Sequence, residues 1–359
     1  MYAKPSLIFL LCALSTVLLA CTQTLPTATP APFAQELILY DWADYMPQSI
    51  LDAFTAEYGI KVSYQTYTSQ EEAVKSLRAN QVYDVVILDN DFIPPLVGDQ
   101  LLAPINYQNV PNFKNVSANF RDLVYDPGNQ HSVLLYWGTT GLIVRNDLVK
   151  APVTRWSDLW NPAYAGKVAI WPLQRYLVGI ALKSLGYSAN SENPRELNAA
   201  LEKLLALKPH AVLIDLALPT SAPLLAKAQA VMSYGWTFDV LDARSQNLAV
   251  NYILPAEGSI LWGENVVIPA NSPRKRTAEL FLNFLLRPEI SARIANERHF
   301  AISNEAAFPL VKPEILHDPV IFSPSAALKN AEILVALSPV GQKRYADLWQ
   351  HFMNAQANH

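Results

Sequence analysis

The sequence predicts an α/β protein built in two lobes, and three observations carry that expectation. Short apolar runs rich in β-formers alternate with amphipathic helical stretches, the pattern of a sheet covered by helices. More than three hundred residues follow a low-complexity N-terminal stretch, too many for one core of the usual ~100–200 residues. Two long extended segments, 134–144 and 259–268, each carry glycine near the middle; segments of this kind that cross between lobes would act as hinges.

The chain opens with one positive charge in Met1 to Lys4, then an apolar run from Leu7 to Ala20, then Cys21. That order is expected of a secretory signal, 1–20. Leu18-Leu19-Ala20-Cys21 resembles the bacterial lipobox, in which the cysteine is acylated and becomes the first residue. The run is short for a bilayer span of ~20 residues and contains Ser15 and Thr16. A lipid-anchored, periplasmic or extracytoplasmic protein is therefore expected, not a spanning helix. Residues 21–35 hold the lipidated cysteine and a Pro, Thr and Ala-rich flexible linker.

Only 2 cysteines occur, Cys12 inside the signal and Cys21 at its end. The mature fold is left with no disulfide, no thiolate nucleophile and no zinc cluster. Charged residues make up 16% and the formal net charge is -4, with Arg274-Lys275-Arg276 the one basic cluster. Nucleic acid is excluded as a partner, and the mild acidity suits a neutral or cationic small ligand.

Residues 36–41 read as a strand, and 46–58 as a helix with Pro47 in its first turn, Ile50, Leu51, Phe54 and Tyr58 on one face, and Gly59 as its stop. A strand over 60–67, a helix over 69–80 capped by Ser69, and a strand over 83–88 follow. Strand–helix–strand–helix–strand at this spacing predicts parallel strands whose ligands sit beyond their carboxyl ends. In the second half, 167–170 and 230–234 read as strands, and 176–185, 194–207 and 277–286 as helices. Strands at 252–254 and 266–268 flank a Pro-Ala-Glu-Gly turn. The lobes are placed at 36–138 plus 264–318 and at 139–263 plus 319–359.

Conventional catalytic signatures are missing: no phosphate loop ending in Lys-Ser/Thr, no Gly-x-Ser-x-Gly, no His-Glu-x-x-His. The six histidines stand singly, so no metal site and no cofactor are expected. Asp89 and Asp91 could do acid–base work, but Asp-Asn-Asp at a strand end is more often a turn or cap, and the enzyme reading ranks last. The strand ends are instead aromatic and acidic. Trp42 and Tyr45 follow the first strand, Asp89 and Asp91 the third, Tyr234 and Trp236 a later one, and Trp262 and Glu264 lie on the second crossing. An aromatic face attracts a cation by ~0.5–2 kcal/mol and a carboxylate adds a charge-assisted hydrogen bond of about 1.5–3 kcal/mol. Taken singly, each aromatic packs as readily into a core; convergence of several is what points to an organic ammonium. Tyr40, Trp137, Trp156 and Trp160 are assigned to packing or hinges.

The stretch Leu39-Tyr-Asp-Trp-Ala-Asp-Tyr-Met-Pro47, with 54–62, resembles the opening of bacterial spermidine/putrescine-binding proteins. The likeness continues through 83–86, 136–141, 156–160 with 164–166, 185–187, 261–262 and 281–288, in order along nearly the whole mature chain. It implies a type II periplasmic-binding-protein fold, two α/β lobes joined by two crossing segments with a ligand cleft between them. It also implies a polyamine as cargo and an ABC permease in the inner membrane as partner.

Position by position, Trp42 and Tyr45 match family aromatics that border the polyamine, Trp262 a stacking tryptophan, and Glu264 an aspartate that takes an amine. A further family tryptophan falls at Tyr234 or Trp236. Elsewhere the chain departs: Leu173 and Tyr176 stand where the family places an aspartate and a glutamate, and Leu334 near a family glutamine. Asp91 replaces a tyrosine and Asp89 a serine, moving acidity from one lobe to the other. The resemblance therefore leaves room for another organic cation in the same fold, or for a lipoprotein scaffold or sensor that has lost polyamine binding.

Overall fold

The computed structural model describes residue 1 and residues 32–355. The expected signal, Cys21 and nearly all of the linker lie outside the described residues. The fold occupies the unit Phe33–His359.

The first α/β group comprises β1 (Glu36–Trp42), α1 (Gln48–Tyr58), β2 (Lys61–Tyr67), α2 (Gln70–Arg78), β3 (Val85–Asp89) and α3 (Ile93–Gly98). Its strands pair in parallel in the order β2-β1-β3. Helix α1 buries Ile50, Leu51 and Phe54 and ends at Gly59, whose φ of 68° is the left-handed conformation a glycine adopts freely. Pro47 is the N-cap, not part of the first turn as expected, with an extended backbone. Ser69 does cap α2, its Oγ accepting from the Glu72 N–H at 3.1 Å.

The second group follows the long strand β4 (Ser132–Arg145). It comprises β5 (Val168–Ile170), α4 (Gln174–Ser184), α5 (Pro194–Leu207), β6 (Ala211–Leu213), α6 (Ala222–Ala226), β7 (Met232–Gly235), α7 (Thr237–Ser245) and β8 (Val250–Ile253). Here β5 pairs in parallel with β6 and β7. The return strand β9 (Ile260–Val267) leads to α8 (Lys275–Leu285), α9 (Pro288–Arg298), β10 (Ala301–Ile302), α10 (Pro313–Leu316), β11 (Glu332–Ile333) and α11 (Pro339–Asn354).

The two segments read as crossings are β4 and β9, and they pair with each other, antiparallel from Ser132↔Val267 to Thr140↔Ile260. One end of β9 pairs with β3, and one end of β4 pairs with β7. The sheet therefore runs β2-β1-β3-β9-β4-β7-β5-β6. It is mixed, not parallel throughout, because the chain must cross and return. β8 pairs with β4 and not with its expected neighbour across the Pro-Ala-Glu-Gly turn. That turn is fixed by contact: a Cβ on Gly258, at φ 103°, would sit 1.8 Å from the Asn330 carbonyl oxygen.

The aromatics assigned to packing are held as such. Tyr40 stacks on Tyr83 at 4.2 Å, Trp156 is fully buried with Nε1 donating to the Gly258 carbonyl at 2.9 Å, and Trp160 Nε1 donates to the Lys203 carbonyl at 2.7 Å. Trp137 Nε1 donates to the Ile302 carbonyl at 3.3 Å. Among the described residues, no helix is long and apolar enough to cross a membrane.

Candidate ligand-binding cleft

Parallel strands that end together leave their last side chains together, as β1 and β3 do here, and antiparallel β9 passes beside them with Glu264 in mid-strand. Trp42 closes β1, and its Nε1 donates to Glu264 Oε1 at 2.8 Å. Gln70, at the start of α2, donates to the other oxygen of Glu264 at 3.5 Å. Asp89 closes β3 directly opposite Glu264 in the antiparallel ladder, and each acid acts on the other's titration. Two carboxyl groups so placed hold a proton more tightly than either would alone.

Burial raises Glu264 from its usual 4.5 to about 8, with the Asp41 charge adding to the effect. Asp89 is pushed well above the carboxylate range, first by burial and then by the charges of Glu264 and Asp91. Asp41, wholly buried beneath, rises to about 8 for want of solvent. Asp91 rises only to about 6, because the Arg175 charge opposes its burial. Burial of these acids is not matched by counter-charge, an arrangement chemically able to hold a cation.

Aromatic rings frame the pair. Tyr45 is brought back by a turn in which its N–H donates to the Trp42 carbonyl at 3.3 Å, and the two rings lie 6.0 Å apart. Trp262 is 7% exposed, its ring lying against Gly138, its cross-strand partner, where an added Cβ would sit 2.4 Å from the ring. Gly138 is thus required for close approach of the tryptophan.

Across from the acids stand the ends of β5 and β7. Trp236 is the N-cap of α7, held by its N–H to Asp239 Oδ2 at 3.0 Å. It meets Tyr176 edge-on at 5.2 Å and stacks on Phe238 at 5.6 Å. A cavity of about 540 Å³ lies between the two walls. Trp42, Tyr45, Asp89, Asp91, Trp236, Trp262 and Glu264 all line it, as do Leu173, Tyr176 and Leu334. A second recess, of about 470 Å³, shares Glu71, Asp91, Phe92, Gln174 and Arg175 with it.

Tyr234 is the exception among the anticipated residues. It is fully buried in β7, donates its hydroxyl to the Trp171 carbonyl at 2.6 Å, and does not line the cavity. Its position is inside the ladder opposite Leu142, whereas Trp236 lies past the strand end and faces the space beyond it. Trp171, Arg175 and Phe238 line the cavity without having been anticipated. Trp171 follows the end of β5 as Trp42 closes β1, so the strand-end rule would have found it. Arg175 was hidden because α4 begins at Gln174, two residues before the expected start at Tyr176.

Two parallel strand groups joined by a pair of antiparallel crossing strands, with a cavity at their facing strand ends, define the type II class of periplasmic solute-binding folds. The chain belongs to the bacterial extracellular solute-binding proteins, whose family pattern it matches over residues 49–322. It is 31% identical over 299 residues to the spermidine/putrescine-binding periplasmic protein of Escherichia coli, covering 82% of this chain and 85% of that one. It is also 31% identical over 354 residues to a putrescine-binding periplasmic protein of Pseudomonas aeruginosa, covering 92% and 96%. The crystal structure of a spermidine/putrescine ABC transporter substrate-binding protein from Streptococcus pneumoniae superposes with a TM-score of 0.81 at 28% identity, over 89% of this chain and 99% of that one. Membership in this family makes the chain a binding protein and not an enzyme, and sets it with periplasmic and extracellular proteins.

Proposed function

We propose that this chain is the lipid-anchored capture component of an ABC importer, and that a polyamine-class cation binds between its strand ends. The observation that carries the reading is the Asp89–Glu264 pair, Glu264 buried and Asp89 half-buried, lining one cavity with Trp42, Tyr45 and Trp262. A buried ammonium without a carboxylate loses several kcal/mol of hydration that aromatic faces alone do not return. Here an entering ammonium displaces the proton the pair holds, takes up charge-assisted hydrogen bonds to both acids, and has its carbon chain covered by the rings. Relatives named for spermidine and putrescine, aligned over most of both chains, support the same cargo.

The lobes are assigned to 36–138 plus 264–318 and to 139–263 plus 319–359, meeting along β4 and β9. Closure around the ligand would present one compact surface to a membrane permease, with ATP hydrolysed by a separate subunit. Acylation at Cys21 would keep the protein at the membrane surface.

Calorimetric titration of the purified protein with putrescine, cadaverine, spermidine and spermine tests the cargo. Saturable heat and thermal stabilisation by at least one amine are expected; neither effect with any of them overturns it. Labelled fatty acid should enter the wild-type protein and not Cys21→Ser, and an unlabelled wild type removes the anchor.

A further inference from the structure

The wall that faces the acids is built of hydrogen-bond donors. Trp171, 5% exposed and lining the cavity, has a buried Nε1 with no hydrogen-bond partner. Arg175, also in the lining, spends Nη2 on Asn190 Oδ1 at 3.0 Å and the Val335 carbonyl at 2.9 Å, while its buried Nη1 has no partner. Its guanidinium lies 5.0 Å over the Tyr345 ring, so the group is held in place and not free to swing away.

The eleven-residue helix α4 starts at the same point. Its N-cap, Leu173, lines the cavity and supplies no side-chain cap to the first-turn N–H groups. Gln174 gives none either, because its Nε2 donates to the Tyr345 carbonyl at 3.0 Å. A helix N-terminus, a fixed guanidinium and an indole N–H therefore belong to one wall, and Trp171 Nε1 and Arg175 Nη1 lie just beneath its surface with no acceptor inside the fold. No carboxylate among the described residues is in hydrogen-bond or ion-pair contact with Arg175. Asp91 feels its charge from the opposite wall.

A second ammonium does not suit this wall. It brings three donors and no acceptor, and it would face a guanidinium and the positive end of a helix. An oxygen acceptor suits all three groups at once. We infer that the cleft selects a one-ended amine, with a primary ammonium at Asp89 and Glu264 and a carbonyl or carboxylate oxygen at Trp171, Arg175 and the α4 N-terminus. The class comprises mono-N-acylated diamines and ω-aminocarboxylates, which share an amine at one end and an oxygen acceptor toward the other. The inference rests on the reading that an amine occupies the acid pair.

Calorimetry of the purified protein with putrescine, N-acetylputrescine and 4-aminobutanoate tests it. At least one oxygen-bearing ligand is expected to bind ~10-fold or more tightly than putrescine, and which of the two leads tells an amide from a carboxylate. Arg175→Gln and Trp171→Phe should each reduce that preference; a role confined to bracing α4 would weaken all three ligands alike. Putrescine binding as tightly as both others overturns the inference and leaves the amine reading standing. A preference that survives both substitutions overturns the assignment to this wall. No binding of any of the three overturns the amine reading and the inference with it.

Discussion

The two walls of the cleft are made the same way and do opposite things. Each has parallel strands that end at helix starts, with the antiparallel crossing strand β9 added to the first. At the β1–β3–β9 wall the strand-end residues are carboxylic acids and the rings that orient them, Trp42 on Glu264 above all. At the β5–β7 wall they are Trp171, Trp236 and the uncapped start of α4 with Arg175. Fold sets where the side chains converge, and a few substitutions at those points set what charge they meet.

Removing charge from the first wall should have the largest effect. Asp89→Asn and Glu264→Gln should each weaken amine binding by about 10- to 100-fold, the worth of a charge-assisted hydrogen bond of roughly 1.5–3 kcal/mol. Leu173→Ala, on the other wall, should change it by less than about threefold, as the loss of a partly buried aliphatic contact whose place water can take. Comparable losses at Leu173 and Glu264, measured by calorimetry, would mean that the walls are not distinct in kind.

Much of this arrangement was legible in the sequence because it is local. Apolar periodicity gave the strands and helices, and Ser69 and Gly59 marked helix ends through chemistry carried by single residues. Trp42, Asp89 and Trp262 were found by their place at strand ends or on a crossing. What stayed hidden was long-range or unsignalled. The Asp89–Glu264 pair depends on the register of β3 against β9, which no stretch of either strand encodes alone. Arg175 was missed because the N-cap of α4 is Leu173, a residue that gives no capping signal. Tyr234 and Trp236 are separated by the end of β7, a boundary finer than periodicity resolves.

Acidity that burial holds back should also make the comparison depend on pH. Glu264, raised to about 8, faces Asp89 across the ladder, Trp42 from β1 and Gln70 from α2, with the Asp41 charge nearby and Arg298 acting on Asp41. Binding a cation favours the ionised pair, so the proton must leave. Affinity should be greatest above about pH 8 and fall by up to about tenfold per pH unit below it. The sign for stability is opposite. The ligand-free fold keeps a proton that the unfolded chain releases near 4.5, so this contribution is full below that pH and lost as pH rises through about 8. Titrations in two buffers of different ionisation enthalpy should report net proton release at pH 7. No release, with affinity flat from pH 6 to 8, would show that the pair is already ionised.

The smallest effect is expected at Asp91, and it sharpens the comparison because Asp91 sits on the acidic wall but answers to the other one. Burial raises Asp91 less far than Asp89, and the difference comes from Arg175, whose charge reaches it across the cleft, while Asp89 has only acids about it. Removing the Asp91 charge takes an attraction from the ligand ammonium and leaves Arg175 less neutralised. At an effective dielectric near ~20 such through-space contributions are each modest. Asp91→Asn should therefore weaken a diamine by less than about fivefold. The same substitution should leave 4-aminobutanoate unchanged or bind it more tightly, since its oxygen then meets a guanidinium with less competing charge. A loss at Asp91 equal to that at Asp89, for both ligands, would place Asp91 in direct contact with the amine and move the boundary between the walls from the cleft axis to Arg175 itself.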